Sequence, residues 1–305
     1  MTVPDWPDDL IVRTLRAYGE WSLAEQMLLS PMLRQTDALW DVGAFLGTFG
    51  LGVAQLASKP PRRIVVLEPS TILLPYLQDN LTRNAPCPFL IAPYAVGQEV
   101  ARLRLRADQD DRNAGAQSYE TANAAEEGLL GRSLRDLRAE YGDYDVLKLD
   151  IEGMENEAIL GDIDYVQRSS PLIWAECNEH EASIALLESL VWLKYQPLYV
   201  AFPFFRKENT NRSSERIFPM AYEAALLAAP LDRLADFVGK VDGEEIIVRP
   251  VTTPDDLRQA LWSTPRWAAP EWIELSREEL IGLLGHQTLY GDLTKFLIDD
   301  VQTVS

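Results

Sequence analysis

Cysteine, histidine and positive charge are all scarce in this chain, and each shortage removes a class of function. The two cysteines, Cys87 and Cys177, sit in separate apolar, strand-like stretches with no metal-ligand spacing. A disulfide framework and a zinc site are therefore excluded, neither thiol reads as a nucleophile, and a reduced, cytoplasmic setting is expected. Lys and Arg number 28 against 47 Asp and Glu, a net charge of −19. Nucleic-acid binding depends on basic side chains that neutralise phosphates, so nucleic acid is not an expected partner, and an anionic membrane is disfavoured for the same reason. The small basic groups Arg62-Arg63, Arg102 to Arg106 and Arg132 to Arg138 are interrupted by acids or alternate along strands, and read as solvated faces. No stretch approaches the ~20 apolar residues that span a bilayer, and the N-terminus has no basic segment followed by an apolar one. There is no internal repeat and no low-complexity tract.

Apolar residues are plentiful: 47% of 305 residues are hydrophobic and 25% charged, enough to bury at least one full core. Short apolar segments at 39–42, 64–67, 89–91, 146–149, 172–175 and 198–202 alternate with helical stretches at 48–57, 72–83, 126–141, 155–159 and 181–194. That alternation predicts an α/β fold of the Rossmann-like kind, with a mostly parallel sheet and right-handed crossovers. Residues 8–30 read as one or two N-terminal helices with Asp8 or Asp9 as cap, covering the sheet. The expected division is an N-terminal helical segment (1–37), a central domain (38–229) and an α-rich accessory extension (230–305). In the extension, 244–249 reads as a strand and 254–262, 276–284 and 289–301 as helices, with Trp262, Trp267 and Trp272 either in a core or on a dimer or substrate surface.

Residues 41–47, Asp-Val-Gly-Ala-Phe-Leu-Gly, follow the first strand and precede a helix. Glycine is needed where the backbone takes φ > 0 or meets a bound molecule closely, and the helix start offers free N–H groups. Glu68 ends the second strand, where a carboxylate can accept two hydrogen bonds from a ribose diol, so the pair describes an adenosine site. The dinucleotide pattern G-x-G-x-x-G is incomplete, since Ala44 and Phe45 stand between Gly43 and Gly47, and an NAD-dependent oxidoreductase is the weaker reading. S-adenosylmethionine has no phosphate, and Asp41 at the strand end suits its positive end.

The third element is Leu-Lys-Leu-Asp-Ile-Glu-Gly-Met-Glu over 147–155: a strand ending in Asp150, a turn at Gly153, then a helix. With DVGAFLGTFGL at 41–51, VVLEPS at 65–70 and LQDNLTRN at 77–84, this string resembles the FkbM family of S-adenosylmethionine-dependent methyltransferases, over roughly 39–219. The lysine-x-aspartate-isoleucine-glutamate-glycine run is its specific part, and the family usually has asparagine where Phe45 stands. The resemblance implies a class I methyltransferase fold, S-adenosylmethionine as cofactor and O-methylation. It implies cofactor contacts from Asp41, Gly43, Ala44, Phe45 and Gly47 on the first turn, and from Glu68, Pro69, Ala95 and Asp150 on the elements that follow. The polar run over 108–125 falls where the family carries a loop near the cofactor.

Chemistry then needs an acceptor atom in line with the sulfonium methyl and a group to take its proton. His180, just past the fifth strand, is one candidate base; Asp150 and Glu152 compete with it, and His286 reads as a surface residue. Glu176 and Asn178 on the same rim, with Phe204 and Asn209 beyond the sixth strand, are the candidate acceptor-binding residues, the aromatics suited to stacking on a sugar. Asp150, Glu176 and Asn178 could alternatively hold Mg²⁺. The expected partner is a small-molecule or carbohydrate acceptor, with a homo-oligomer as a further expectation. A third class, a methyltransferase fold kept only for binding, draws on Phe45 and on the unassigned C-terminal third.

Overall fold

The structure, a computed structural model, describes residues 1–105, 119–121, 129–204, 206, 208–215, 217, 222–237 and 246–264. The chain opens with α1 (Leu10–Tyr18) and α2 (Leu23–Leu29). The Asp9 carboxylate accepts from the Val12 N–H at 2.9 Å to cap α1, and Gly19 ends it with φ +73°. Next come β1 (Ala38–Val42), α3 (Thr48–Leu56), β2 (Arg63–Leu67), α4 (Leu74–Asn84) and β3 (Phe89–Ala92). Short strands β4 (Ala95–Gly97), β5 (Ala101–Leu105), β6 (Tyr119–Thr121) and β7 (Leu129–Ser133) form a separate sheet in the order β4-β7-β5-β6. The chain continues through α5 (Leu134–Tyr141), β8 (Val146–Leu149), α6 (Glu155–Leu160), α7 (Ile163–Ser169), β9 (Leu172–Glu176) and α8 (Glu181–Trp192). It then runs through β10 (Leu198–Pro203), β11 (Tyr222–Ala228), α9 (Leu231–Leu234), β12 (Ile247–Pro250) and α10 (Pro254–Trp262).

The main sheet has the order β12-β10-β11-β9-β8-β1-β2-β3. From β9 to β3 every pairing is parallel, whereas β11 is antiparallel to both β9 and β10, and β12 antiparallel to β10. This is the expected Rossmann-like α/β architecture, with an antiparallel end. Both faces are covered, which is why β1, β8 and most of β2 and β9 are buried along their length. Trp40 and Val42 pack with α5, α6, α7 and α8 on one face; Leu39 packs with α2 and α3 on the other. The chain leaves β1 toward β2 and β3, then returns to place β8 on the other side of β1. That reversal opens a crevice beyond the carboxyl ends of β1 and β8, where such sheets bind ligands.

Some expectations needed revision. The helix expected over 126–141 starts only at Leu134, because the Ser133 side chain accepts the Asp136 N–H and the preceding residues pair as β7. The one expected at 72 begins at Leu74, with a proline in its first turn. Strand β11, Tyr-Glu-Ala-Ala-Leu-Leu-Ala, was not expected at all: its residues favour helix, and burial between β9 and β10 overrides that preference. In the C-terminal stretch the expected strand is β12, the edge strand of the main sheet, and α10 spans the expected residues. The helices expected at 276–284 and 289–301, Trp267, Trp272, His286 and most of the polar run at 108–125 lie outside the described residues. Among the described residues no helix is long and apolar enough to cross a membrane.

Candidate active site

The turn after β1 folds back on β2: the N–H groups of Gly43 and Ala44 both donate to the Leu67 carbonyl at 3.0 Å. Gly43 has φ +79°, and a Cβ there would run into the Asp150 carbonyl oxygen. Crowding by the chain's own backbone therefore already demands glycine at this position, independently of any ligand. Gly47 (φ +79°) starts α3, and a Cβ on it would lie 2.9 Å from a Leu77 methyl, so its role is packing, and it does not line the cavity described below. Phe45 also has positive φ, +48°, a conformation that asparagine tolerates better than a bulky residue does. Its ring compensates by packing with Ile11, Leu46 and Leu73, so the backbone shape persists without an asparagine amide.

That backbone shape aims the Phe45 N–H at Glu68. Glu68 Oε2 accepts it at 2.9 Å and Oε1 accepts the Ser70 N–H at 2.8 Å. Each carboxylate oxygen keeps a second lone pair for a ligand. The side chain is only 6% exposed, and burial pushes its carboxyl up to about 7 despite these two bonds.

Beneath the turn lies a buried charge network. Asp41 is fully buried and absent from the cavity wall, which corrects its expected role as a cofactor contact. Its Oδ2 accepts the Gly50 N–H in α3 at 2.9 Å, and Oδ1 lies 3.4 Å from Lys148 Nζ. Lys148 donates to the Gly43 carbonyl at 3.2 Å and reaches Asp150 Oδ2 at 3.1 Å. Burial works against its ammonium, but Asp150, Asp41 and Glu25 more than offset this and hold it charged. Lys148 thus ties the β1 turn to the end of β8. A lysine inside an otherwise apolar four-residue strand was the sequence signal for it, since a buried charge requires partners.

Beyond β8, Asp150, Glu152 and Glu176 offer oxygens that all lie within 4.8 Å of one another. Glu152 holds φ +55° and Gly153 φ +96°, while the buried Glu155 carboxylate accepts the N–H groups of Ile151 (2.9 Å) and Gly153 (3.3 Å) to fix the turn. Burial raises Glu155 to about 7. Glu176 is raised well above the carboxylate range by burial and then by the like charges of Glu152, Asp150, Glu155 and Glu223. Its Oε2 is shielded from solvent and accepts no hydrogen bond.

A cavity of about 390 Å³ opens beside this network. Of the expected residues, Gly43, Ala44, Phe45, Glu68, Pro69, Ala95, Asp150, Glu152, Glu176, Asn178 and Phe204 line it. His180 does not: it is exposed, and its Nδ1 accepts the Ala182 N–H at 3.2 Å as the cap of α8. Asn209 is buried elsewhere, its amide spent on Arg206, Ser213 and their loop. Phe204 meets Trp21 edge-on at 4.3 Å between ring centroids, so it seals the wall against the N-terminal helices. Sequence reasoning missed the roof from those helices, Trp21, Ser22 and Glu25, and also Glu179 and Glu223. Glu25 accepts from Trp174 Nε1 at 2.7 Å and Ser22 Oγ at 2.8 Å, and burial raises it to about 7.

No family model matches the chain, and no curated protein does. Among solved structures, the chain is similar to methyltransferase FkbM from Methylobacillus flagellatus KT, at 18% identity and TM-score 0.44, covering 72% of this chain and 55% of that one. It is similar to precorrin-6y C5,15-methyltransferase from Geobacter metallireducens GS-15 at 18% identity and TM-score 0.38, covering 68% and 87%. It is also similar to precorrin 8w decarboxylase from Methanobacterium thermoautotrophicum at 15% and 0.43, covering 68% and 89%. The chain thus spans little more than half the length of the first of these, and likeness of this order bears on neither cofactor nor acceptor.

Proposed function

We propose that the chain is an S-adenosylmethionine-dependent methyltransferase acting on a hydroxyl of a small molecule, sugar or glycan-like acceptor. The observation that carries the reading is Glu68: a buried carboxylate at the end of β2, held by two backbone N–H groups and facing a cavity at the switch point of the sheet. Its remaining lone pairs suit the two ribose hydroxyls. Pro69 and Ala95, which line the same cavity, would hold the base, and the turn over Gly43, Ala44 and Phe45 would hold the amino-acid end. When bound, the cofactor supplies a sulfonium methyl whose carbon–sulfur bond breaks as a carbon–oxygen bond forms. Asp150 and Glu152, which line the cavity, would take the hydroxyl proton, a role that His180, exposed and capping α8, does not fill. An NAD-dependent oxidoreductase is disfavoured because the middle glycine of its fingerprint is replaced by Phe45, packed into the N-terminal cluster.

A second reading, favoured by the convergence of Asp150, Glu152 and Glu176, has Mg²⁺ lowering the pKa of the hydroxyl. Glu152 would take the place expected of Asn178 in that set; transfer stopped by EDTA and restored by Mg²⁺ would favour it. The main reading is tested with methyl-labelled S-adenosylmethionine and a panel of sugars and small alcohols. Label should pass to an acceptor, and Asp150→Asn should abolish transfer while the variant still folds cooperatively and binds S-adenosylhomocysteine. Equal transfer by the variant would remove Asp150 from the reaction.

A further inference from the structure

The cavity is electrically lopsided. Among the described residues that line it, seven carry carboxyl groups, of which burial raises Glu25, Glu68 and Glu176, and one, Lys148, is a cation. Lys148 is committed to Gly43, Asp41 and Asp150 at the β1–β8 junction. Glu68 serves the end of β2, whereas Glu176 ends β9, three strands away, or about 14 Å at the usual strand spacing. The far end of the cavity, with Glu152, Glu176, Glu179 and Glu223, therefore belongs to whatever lies beyond the adenosine half. Glu176 lines this end, and one of its carboxyl oxygens, Oε2, is buried without accepting a hydrogen bond. A buried acceptor of that kind is costly unless a donor arrives with the ligand. Phe202 and Phe204 line the same cavity, and aromatic faces attract organic cations.

We infer that the acceptor carries a protonated amine, as an amino sugar or amino alcohol does, and that its ammonium docks between Glu176, Glu152 and Glu223 while a neighbouring hydroxyl is methylated. An ammonium has three donors and favours the ionised form of a carboxyl it meets; the oxygens of Glu152 and Glu176 lie within 4.8 Å of each other and can share one, while Glu223 lines the same cavity. Magnesium takes one or two carboxylates and keeps its waters, so a wall of four acids with two phenylalanines exceeds what it needs. The same wall repels an anionic acceptor such as a uronate.

The inference rests on the methyltransferase reading, and the test separates the two. S-adenosylhomocysteine is first bound to the wild-type protein; if it does not bind, that reading falls and this inference falls with it. With it bound and EDTA present, glucosamine, glucose and glucuronate are titrated at pH 7 as probes that share a ring and differ in charge. Glucosamine should bind at least tenfold more tightly than glucose, and glucuronate more weakly than either. Glu176→Gln and Glu223→Gln should each reduce the preference for glucosamine while still binding S-adenosylhomocysteine. Equal affinity for glucosamine and glucose, no binding of glucosamine, or a preference unchanged in both variants would overturn the inference. So would a Mn²⁺ site detected by electron paramagnetic resonance and lost in Glu176→Gln, if glucosamine then shows no preference.

Discussion

Lowering the pH from 8 to 6 should weaken S-adenosylhomocysteine binding to the wild-type protein about tenfold more than it weakens binding to Glu68→Gln. Glu68 is nine-tenths buried or more and its carboxyl is raised to about 7 by that burial. Ribose hydroxyls donate, so they bind the ionised carboxylate better than the neutral acid, and ligand binding pulls the pKa down. Affinity must therefore rise with pH through about 7. About nine-tenths of the carboxyl is ionised at pH 8 and about one-tenth at pH 6, a tenfold difference, or about 1.4 kcal/mol. The ligand's own groups and Glu25 titrate alike in both proteins, so the difference between the two profiles isolates Glu68. Glu68→Ala, which leaves no acceptor, should weaken binding by about 1.5–3 kcal/mol at pH 8. Calorimetry at pH 6, 7 and 8 measures all three. Parallel profiles for wild type and Glu68→Gln would refute the placement of the ribose on this carboxylate.

Lys148→Met should destabilise the fold by about 3–5 kcal/mol in urea titration, because it strands the buried Asp41 charge; adding Asp41→Asn should recover part of the loss, and no recovery would deny the coupling. Gly43→Ala should be far more destabilising than Gly153→Ala: both have positive φ, but only at Gly43 does a Cβ meet backbone, while at Gly153 nothing lies within 4 Å. Thermal stability should fall from pH 5 to pH 8. Glu25, Glu68 and Glu155 all sit near 7 when folded, so between an unfolded value of about 4.3 and about 7 the folded state holds more protons and loses stability as they leave. A melting temperature that rises over that interval would contradict the burial of these carboxyls.

Most strand and helix positions were legible because apolar runs and their polar punctuation are local. Strand β8 falls on the expected residues, β1 and β2 begin one residue early, and Glu68 stands where a strand-end acid was expected. What was not legible depended on what packs against what. Gly43 was read as a turn needing positive φ or close approach of a ligand; its φ is +79°, and the close approach is by Asp150, a residue more than a hundred positions away. His180 was placed correctly past β9, but α8 begins there and its own N–H occupies the imidazole nitrogen. Asp41 sits at a strand end, yet points to the face covered by α3 and binds Gly50. The roof could not be read from helical periodicity, because Trp21, Ser22 and Glu25 reach the rim only through the docking of α2 against Trp174.

The most direct test of the central claim is calorimetry of the wild-type protein at pH 8 with S-adenosylmethionine, S-adenosylhomocysteine and NAD. The first two should bind saturably, one to one, and NAD not at all, with Glu68→Ala weakening both. Binding of NAD alone, or no binding of either sulfur ligand to a folded protein, would contradict it.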